Sequence, residues 1–401
     1  MNQTIKPFKA TYYNPASVKD YSAVTCPPYD VISSQQLKAL RRKSPDNFSW
    51  VLIADNGNYK QSAQCLNRLL KDKILIDDDQ DSLYLYEQTF KVKGKSLRRF
   101  GILSLLKMDK KGIFPHEYTL SAPKKDRKKI IASTKANLSP IFVIATKHLF
   151  QLEKIYQAYR KTKPFFKCFD RDSNLNKVWK ISQRQEIDRL CREISASKMV
   201  IADGHHRFEI TFDYFKKNKN RFKDLNYILA YLTGPQEGLL ILPTHRIINI
   251  NQNTDSIFKT LQSYFHIQKV SQGVLEKHLD SQGQFCFGIF HKGKFFFLKL
   301  KDKKILDKIE NKLYRGLDAY VFHQAVLPLF KSAGQIQYSH SIDESKAIAG
   351  KSDTAFILRA VPLETVLEIS RKGFRFPQKS TYFYPKLLSG LVIRRFKNLS
   401  R

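Results

Sequence analysis

The chain has 401 residues, 42% apolar and 12% aromatic, with 70 Lys and Arg against 36 Asp and Glu. This excludes a disordered chain, which would lack aromatic and β-branched residues, and the length suffices to bury a real core, with two or three domains expected. The net charge of +34 fits either an electrostatic footprint for nucleic acid or basic residues decorating every solvated face. The basic residues spread along the chain, with clusters at Lys124 to Lys129, Lys216 to Lys219 and Lys301 to Lys304 and no zinc-finger or RNP-like pattern. No apolar run approaches the roughly 18–20 residues needed to span a bilayer. The N-terminal MNQTIKPFKA has no apolar signal core or small-residue cleavage site. A cytoplasmic protein without a membrane partner is therefore expected. Cys26, Cys65, Cys168, Cys191 and Cys286 never form CxxC, so they read as reduced core residues rather than disulfides or a zinc site.

In chain order, TCPPYDVIS at 25–33 is a turn, because two prolines favour extended or turn backbone. A short helix follows over SSQQLKALRR, with Ser33 or Ser34 as N-cap. WVLIAD at 50–55 reads as a buried strand, and 59–73 as a helix carrying Ala63, Leu66, Leu69 and Leu70 on one face. Strands at 82–92 and 99–108 form a hairpin through Gly94. The basic stretch 114–129 reads as loop leading into helix. A strand at 139–146 and two helices, HLFQLEKIYQAYRK and QRQEIDRLCREISA, come next. The strand at 197–204 ends at Gly204, where a helix with Phe208, Thr211, Phe212 and Phe215 on one face begins. Strands follow at 226–233 and 239–250, the second interrupted by Pro-Thr-His-Arg. A helix–strand–strand unit covers 254–300 with a turn at Gly293, and 314–330 reads as a helix. A strand at 354–361 and a helix stopped by Gly373 precede the closing segment. The texture changes near residue 250, so the expected division is 1–250 and 251–401. The expected fold class is α+β or mixed α/β, since strands do not alternate strictly with helices.

The richest constellation is IADGHHRFEI at 201–210. A strand-to-helix junction offers backbone N–H groups and the positive end of the helix dipole, and Gly204 permits the turn and a close ligand approach. Arg207 can grip a phosphate, His205 and His206 add donors, and Asp203 can hold a metal or accept a proton. The histidines can equally be polar caps. A second candidate is KSTYFYPK at 379–386, where Lys379, Ser380, Thr381 and Lys386 offer a phosphate cradle without P-loop spacing. A third is PHEYT, in which His116 and Glu117 are a base pair or ligands but not a zincin motif. His245 and Arg246 in PTHR can face an anion, and Tyr29 and Asp30 in the PPYD turn complete the set. A nucleophile elbow, a dinucleotide-binding fingerprint and a protein-kinase signature are all absent.

In order, IKPFKA, CPPYDVIS, Ser44 to Asn47, LYEQTF, PHEYT, Asp126-Arg127, ANLSPIF, IADGHHRFE, ILPTHR, YSHSIDES and PQKSTYFYPKLLSGLV resemble the domain-of-unknown-function 1015 family. The strand–Asp-Gly-His-His-Arg–helix segment is also similar to the helix start of ParB/sulfiredoxin-like nucleotide-binding proteins. That resemblance implies a mixed sheet whose helix N-terminus binds nucleotide phosphates. The group includes kinases of free L-serine using ADP or ATP, CTP-hydrolysing DNA clamps and ATP-dependent sulfinic-acid reductases. The clamps carry a Gly-Glu-Arg-Arg-like motif and the reductases a reactive Cys where this chain has His205. Both departures favour the small-molecule kinase branch. The implied activity is phosphotransfer to a small hydroxylated metabolite, most plausibly free L-serine, with ATP or ADP and Mg²⁺. Asp203 would then bind the metal, Glu117 act as base beside His116, and Gly204, His205, His206, Arg207, Lys379, Ser380, Thr381 and Lys386 hold phosphates. Tyr29, Asp30, His245 and Arg246 would face the substrate. Two alternatives stay open: a nucleotide-switched DNA-binding protein, and a non-catalytic regulator that binds nucleotide or phosphometabolite. The candidate loops are expected to converge on one cleft.

Overall fold

A computed structural model describes residues 4–109, 112–118, 122–250, 254–281, 285–330, 334–350 and 352–399. The fold is mixed α/β, as expected, and it divides into two compact units. The first comprises Met1–Pro115, Thr119–Leu239 and Pro385–Arg401; the second comprises His116–Tyr118 and Leu240–Tyr384. The expected division at 250 differs from these bounds because both units are closed by distant segments. Arg394–Arg395 pairs with Ala136–Asn137 in the first, and Tyr382–Tyr384 pairs with Leu240–Leu242 in the second.

The first unit is built on a nine-stranded sheet. Its strands are β1 (Ile5–Lys6), β2 (Leu83–Val92), β3 (Lys95–Lys107), β4 (Ile113–Pro115), β5 (Ile141–Ala145), β6 (Phe166–Phe169), β7 (Leu175–Ile181), β8 (Met199–Asp203) and β9 (Tyr227–Thr233). The order is β4-β8-β5-β9-β3-β2-β7-β6, with β1 added to β3. The β4/β8 and β5/β9 pairs are parallel and the remainder antiparallel. The β2–β3 hairpin turns through Lys93-Gly94, where both residues have positive φ. All five residues of β5 and all seven of β9 are buried, as befits central strands covered on both faces.

Helices α1 (Tyr59–Lys71), α2 (Ala122–Thr134), α3 (Phe150–Tyr159), α4 (Arg184–Ser195) and α5 (His205–Asn218) belong to this unit. Leu152, Ile155, Ile187, Leu190, Ile194 and Phe208 join the sheet in one apolar core. Ser33 caps the helix Ser34–Lys43 in a reciprocal capping box with Gln36.

Two elements differ from expectation here. WVLIAD is not a strand: Ser49–Leu52 is one helical turn followed by a 3₁₀ turn at Asp55–Gly57. The buried Asn47 amide starts that turn by accepting from the Ser49 N–H, and Val51 and Leu52 pack into a core with Val24, Leu66 and Leu69. A short apolar run carries no period that distinguishes strand from helix. The β6–β7 hairpin was not anticipated from the sequence; its loop is closed by Asp170, which accepts from Asn174 and Asp172 N–H groups.

The second unit holds a wholly antiparallel six-stranded sheet. Besides β10 (Leu240–Leu242), its strands are β11 (His245–Ile248), β12 (Phe265–Val270), β13 (Cys286–His291), β14 (Lys294–Leu300), β15 (Gln337–Ser339), β16 (Thr354–Ile357) and β17 (Tyr382–Tyr384). Its order is β12-β14-β13-β16-β11-β15, and β10 pairs separately with β17. A helix, Gln272–Ser281, interrupts the expected helix–strand–strand unit. The helix expected over 314–330 is broken. An α-turn at Asp318–Val321 passes into a π-turn at Phe322–Val326 and a 3₁₀ turn at Leu327–Leu329, where Pro328 can donate no backbone hydrogen bond. Among the described residues, no helix is long and apolar enough to cross a membrane.

Candidate functional site

In the first unit, β8 lies between β4 and β5 and carries Asp203 at its end. The register of β8 against β5 shifts between Ile201 and Asp203, and such a bulge re-aims the side chains that follow it. Gly204 then takes φ +87° and caps α5 without a side-chain cap of its own. A Cβ at this position would meet Arg207 Nε and Ile141 Cγ2 at 3.0 Å. Glycine is thus needed twice, for the left-handed backbone and for the guanidinium folded against it.

Each oxygen of Asp203 has its own cation. Arg207 Nη2 donates to Oδ2 at 2.6 Å, and Lys386 Nζ donates to Oδ1 at 2.9 Å. Arg207 also donates to the Pro140 carbonyl. The side chains are 20% exposed for Asp203 and 13% for both cations, so the cluster lies at the edge of solvent rather than in the core. Burial alone would raise the Asp203 carboxyl. Lys386 and Arg207, with His205 adding to them, outweigh it and hold the group well below the usual carboxylate range. Asp203 is therefore a permanent anion at neutral pH and a poor proton acceptor. His205 and His206 occupy the first turn of α5 and are half-buried.

Lys386 reaches Asp203 because its backbone is clamped. Gln88 Nε2 from β2 donates to the Lys386 carbonyl at 3.0 Å, and Arg99 from β3 donates to the Pro385 carbonyl and to Gln88 Oε1. Arg99 is fully buried and stacks on the Phe142 ring at 4.7 Å. Neither residue was singled out from the sequence. The signal was a polar or charged side chain inside otherwise apolar strand patterns, LYLYEQTF and RRFGILSLL.

Tyr29 and Asp30 lie in a 3₁₀ turn of the same unit. The Arg127 guanidinium covers the Tyr29 ring at 4.3 Å and donates to the Leu52 carbonyl. Burial pushes the Tyr29 phenol up to about 12, with Asp30 adding to it against Arg207 and Arg127, so it remains an O–H donor at neutral pH. Tyr29, Arg127, Ser139, Arg207 and Thr211 line one cleft. Asp30 is exposed.

The second unit contains a different cluster. His116 and Glu117 pair with Phe376, whose N–H donates to the His116 carbonyl at 2.7 Å. Glu117 Oε1 accepts from the backbone N–H groups of Ser380 and Thr381 and from Thr381 Oγ1, at 3.2, 3.0 and 2.7 Å. Its Oε2 accepts from the Lys379 N–H at 3.3 Å. His116 Nε2 lies 2.7 Å from Thr381 Oγ1, and the ring is fully buried. Successive N–H groups following a residue in the left-handed region form an anion-binding concavity, and Lys379 has φ +56°. The Lys-Ser-Thr segment, expected from its ammonium groups and hydroxyls as a phosphate cradle, is instead a nest made mainly of backbone N–H groups, and its occupant is the chain's own Glu117. Thr119 of the PHEYT stretch lies outside the described residues.

Arg246 is buried and donates to the carbonyls of Thr244 and Lys379, supporting the nest from beneath. Burial lowers its guanidinium to about 10, against Tyr338 and Glu117. His245 is buried in β11 and accepts the Leu358 N–H on Nδ1. Burial and then Arg246 lower its imidazole to about 4, so it is neutral.

The sequence-derived residues therefore fall into two groups. Tyr29, Asp30, Asp203 to Arg207 and Lys386 belong to the first unit, while His116, Glu117, His245, Arg246 and Lys379 to Thr381 belong to the second. KSTYFYPK divides between them after Tyr384. Among the described residues, no three His, Cys, Asp or Glu side chains gather as a metal site. A hard cation at Asp203 would have one protein carboxylate and would draw its other ligands from phosphates and water, a common arrangement for Mg²⁺.

The family model described as protein of unknown function (DUF1015) matches residues 5–320, so the quoted motifs from Tyr338 onward lie beyond the matched span. No curated protein matches the chain significantly. Among solved structures, a conserved hypothetical protein from Pyrococcus furiosus is similar at 14% identity and TM-score 0.36, over 74% of this chain and 95% of its own. SbnI with C-terminal truncation from Staphylococcus aureus is similar at 12% identity and TM-score 0.39, over 72% of this chain and 85% of its own. A free serine kinase in complex with AMP is similar at 11% identity and TM-score 0.37, over 70% of this chain and 86% of its own.

Proposed function

Starting from a chain that belongs to the DUF1015 family, whose description names no reaction, we propose a nucleotide-dependent phosphotransferase acting on a small hydroxylated metabolite, with free L-serine as the acceptor. The carrying observation is the Asp203–Arg207–Lys386 cluster at the glycine-capped start of α5. Phosphoryl transfer asks a protein for positioned cations, a carboxylate that can hold a metal, and a place for the acceptor hydroxyl. In the unliganded chain Asp203 pairs with both cations and leaves the cluster net positive, and an arriving polyphosphate competes for them. Arg207 and Lys386 then turn toward phosphate oxygens, with His205 and His206 at the helix start as further donors. Asp203 is the carboxylate that would hold Mg²⁺, which when bound neutralises phosphate charge.

The neutral Tyr29 phenol and Asp30 face the acceptor. The Tyr29 O–H orients its hydroxyl, and exposed Asp30 pairs with an amino group. Transfer forms a bond from phosphorus to the serine oxygen, breaks the bond to the leaving phosphate of the nucleotide, and loses the hydroxyl proton to solvent. Asp203 is too strong an acid to take that proton. Glu117, whose oxygens already accept from Lys379, Ser380 and Thr381, is given no part as base in this reading.

The test is incubation of purified protein with Mg²⁺, L-serine and ATP or ADP, with O-phosphoserine detected by mass spectrometry. Product from wild type and none from Asp203→Asn is expected. No product with either donor, or equal product from the variant, overturns the assignment.

A further inference from the structure

The first unit has a second concentration of cations. β9 begins at Tyr227, where the segment 394–399 runs antiparallel to residues 221–223 through the Lys223 N–H to Lys397 carbonyl and Leu399 N–H to Arg221 carbonyl bonds. A pocket of about 430 Å³ opens there, lined by Lys6, Lys9, Lys223, Arg394, Arg395 and Lys397, with Leu105 on its wall. Leu105 is six residues along β3 from Arg99, or about 20 Å of strand, so this pocket is separate from the Asp203 cluster.

Two carboxylates, Asp81 and Asp224, share the lining with those six cations. Asp224 is taken by Lys6 at 2.5 Å, and Arg395 pairs outside the pocket with Asp77. Arg394 is 4% exposed and donates only to neutral partners among the described residues, the carbonyls of Tyr227 and Asp224. Lys223 and Lys397 are exposed, held side by side by their backbone bond, and neither ammonium has an ion-pair partner among the described residues. Arg394 is thus buried, Lys6 and Arg395 are paired, the exposed Lys9 ammonium donates to the Asp79 carbonyl at 2.7 Å, and the exposed, unpaired Lys223 and Lys397 form the rim. A volume of this size suits a small molecule, because ligand pockets run from about 300 to 1,000 Å³.

We propose that this pocket binds a small, multiply charged phosphate compound, at a site distinct from the phosphotransfer site. Arg394 and Arg395 provide the fixed positive field. Lys223 and Lys397 close on the anion from the rim. The net charge of +34 favours its capture at any distance within the screening length.

The test uses the full-length protein and inorganic tripolyphosphate in a calorimetric titration. Wild type, Lys223→Ala/Lys397→Ala and Arg207→Ala are compared, with melting temperature as the check on folding. The double variant is expected to lose at least about tenfold in affinity at one site, since each charge-assisted contact is worth roughly a factor of ten. Arg207→Ala is expected to keep that site. The exposed lysines can be replaced without touching the core; should melting change nonetheless, Lys223→Gln/Lys397→Gln repeats the comparison with longer side chains. Unchanged affinity in the double variant, or no binding by wild type, overturns the proposal. So does a loss confined to a duplex oligonucleotide while tripolyphosphate binding persists, because the surface would then serve nucleic acid.

Discussion

Both units gather polar groups around one carboxylate, but the two carboxylates differ in what holds them. Asp203 is held by two flexible cationic side chains at the edge of solvent. Glu117 is held by three backbone N–H groups and a threonine hydroxyl, over a buried histidine and a buried arginine. Side-chain cations can turn from a carboxylate to a phosphate and themselves remain paired. Backbone N–H groups cannot follow a ligand, so the Glu117 nest is a clasp that shapes a loop. An anion-binding composition is therefore compatible with cations that can be redirected in one case and with a self-satisfied turn in the other.

The largest expected effect separates these roles directly. Asp203→Asn should lower phosphotransfer by about 10³-fold, or ~4 kcal/mol in the barrier, while circular dichroism still reports the native fold and the melting temperature falls only by what the two lost ion pairs contributed. Glu117→Ala should do the reverse. It leaves several N–H groups without their acceptor and should destabilise the second unit by about 3 kcal/mol, read in urea unfolding. Inorganic phosphate should restore part of that loss by occupying the vacated nest, and should not stabilise wild type through this segment.

The pH dependence of the second unit should follow His245. Its imidazole is lowered from 6.5 to about 4 by burial and Arg246, so between those values the unfolded chain binds the proton and the native chain does not. Stability is fully present above pH 6.5 and is lost as pH falls toward 4, by about 3 kcal/mol. His245→Gln should remove the His245 share of that loss and leave the parallel shares of His323, lowered to about 4 by burial and Arg246, and of His291, lowered by burial and Lys292. Asp203 has the same sign at lower pH: its stabilisation is present above the ordinary carboxylate range and fades only in stronger acid.

The smallest effect is expected at Gly204. Gly204→Ala must accept φ +87° and a 3.0 Å contact with Arg207 Nε. It should cost about 1–2 kcal/mol and should weaken nucleotide binding by displacing Arg207. Equal nucleotide affinity in the variant would show that the folded-back guanidinium is not the one that matters.

Much of this molecule is legible along the chain. The strand–glycine–helix junction at 199–218, the hairpin through Gly94 and the Ser33 cap all follow from contacts within a few residues. At the first site, Asp203, Gly204 and Arg207 are four residues apart or fewer, so their chemistry is local. Lys386 stands in one motif with Lys379 to Thr381, yet those residues belong to the other unit. Ser49–Leu52 was misread because four apolar residues have no measurable period, and a buried asparagine decided the matter. Arg99 and Gln88 escaped notice because only the packed sheet turns them toward the backbone of residues 385–386.

By itself the amino-acid sequence determined the mixed α/β class and the glycine-capped helix start. Each depends on backbone preference and side-chain type over a few residues. Only the tertiary structure decided which anion each group of donors meets. Lys386 meets Asp203 from 183 residues away, and Thr381 meets Glu117 from 264 residues away. At such separations no local preference acts, and the pairing is set by which strands share a sheet and which segments close it.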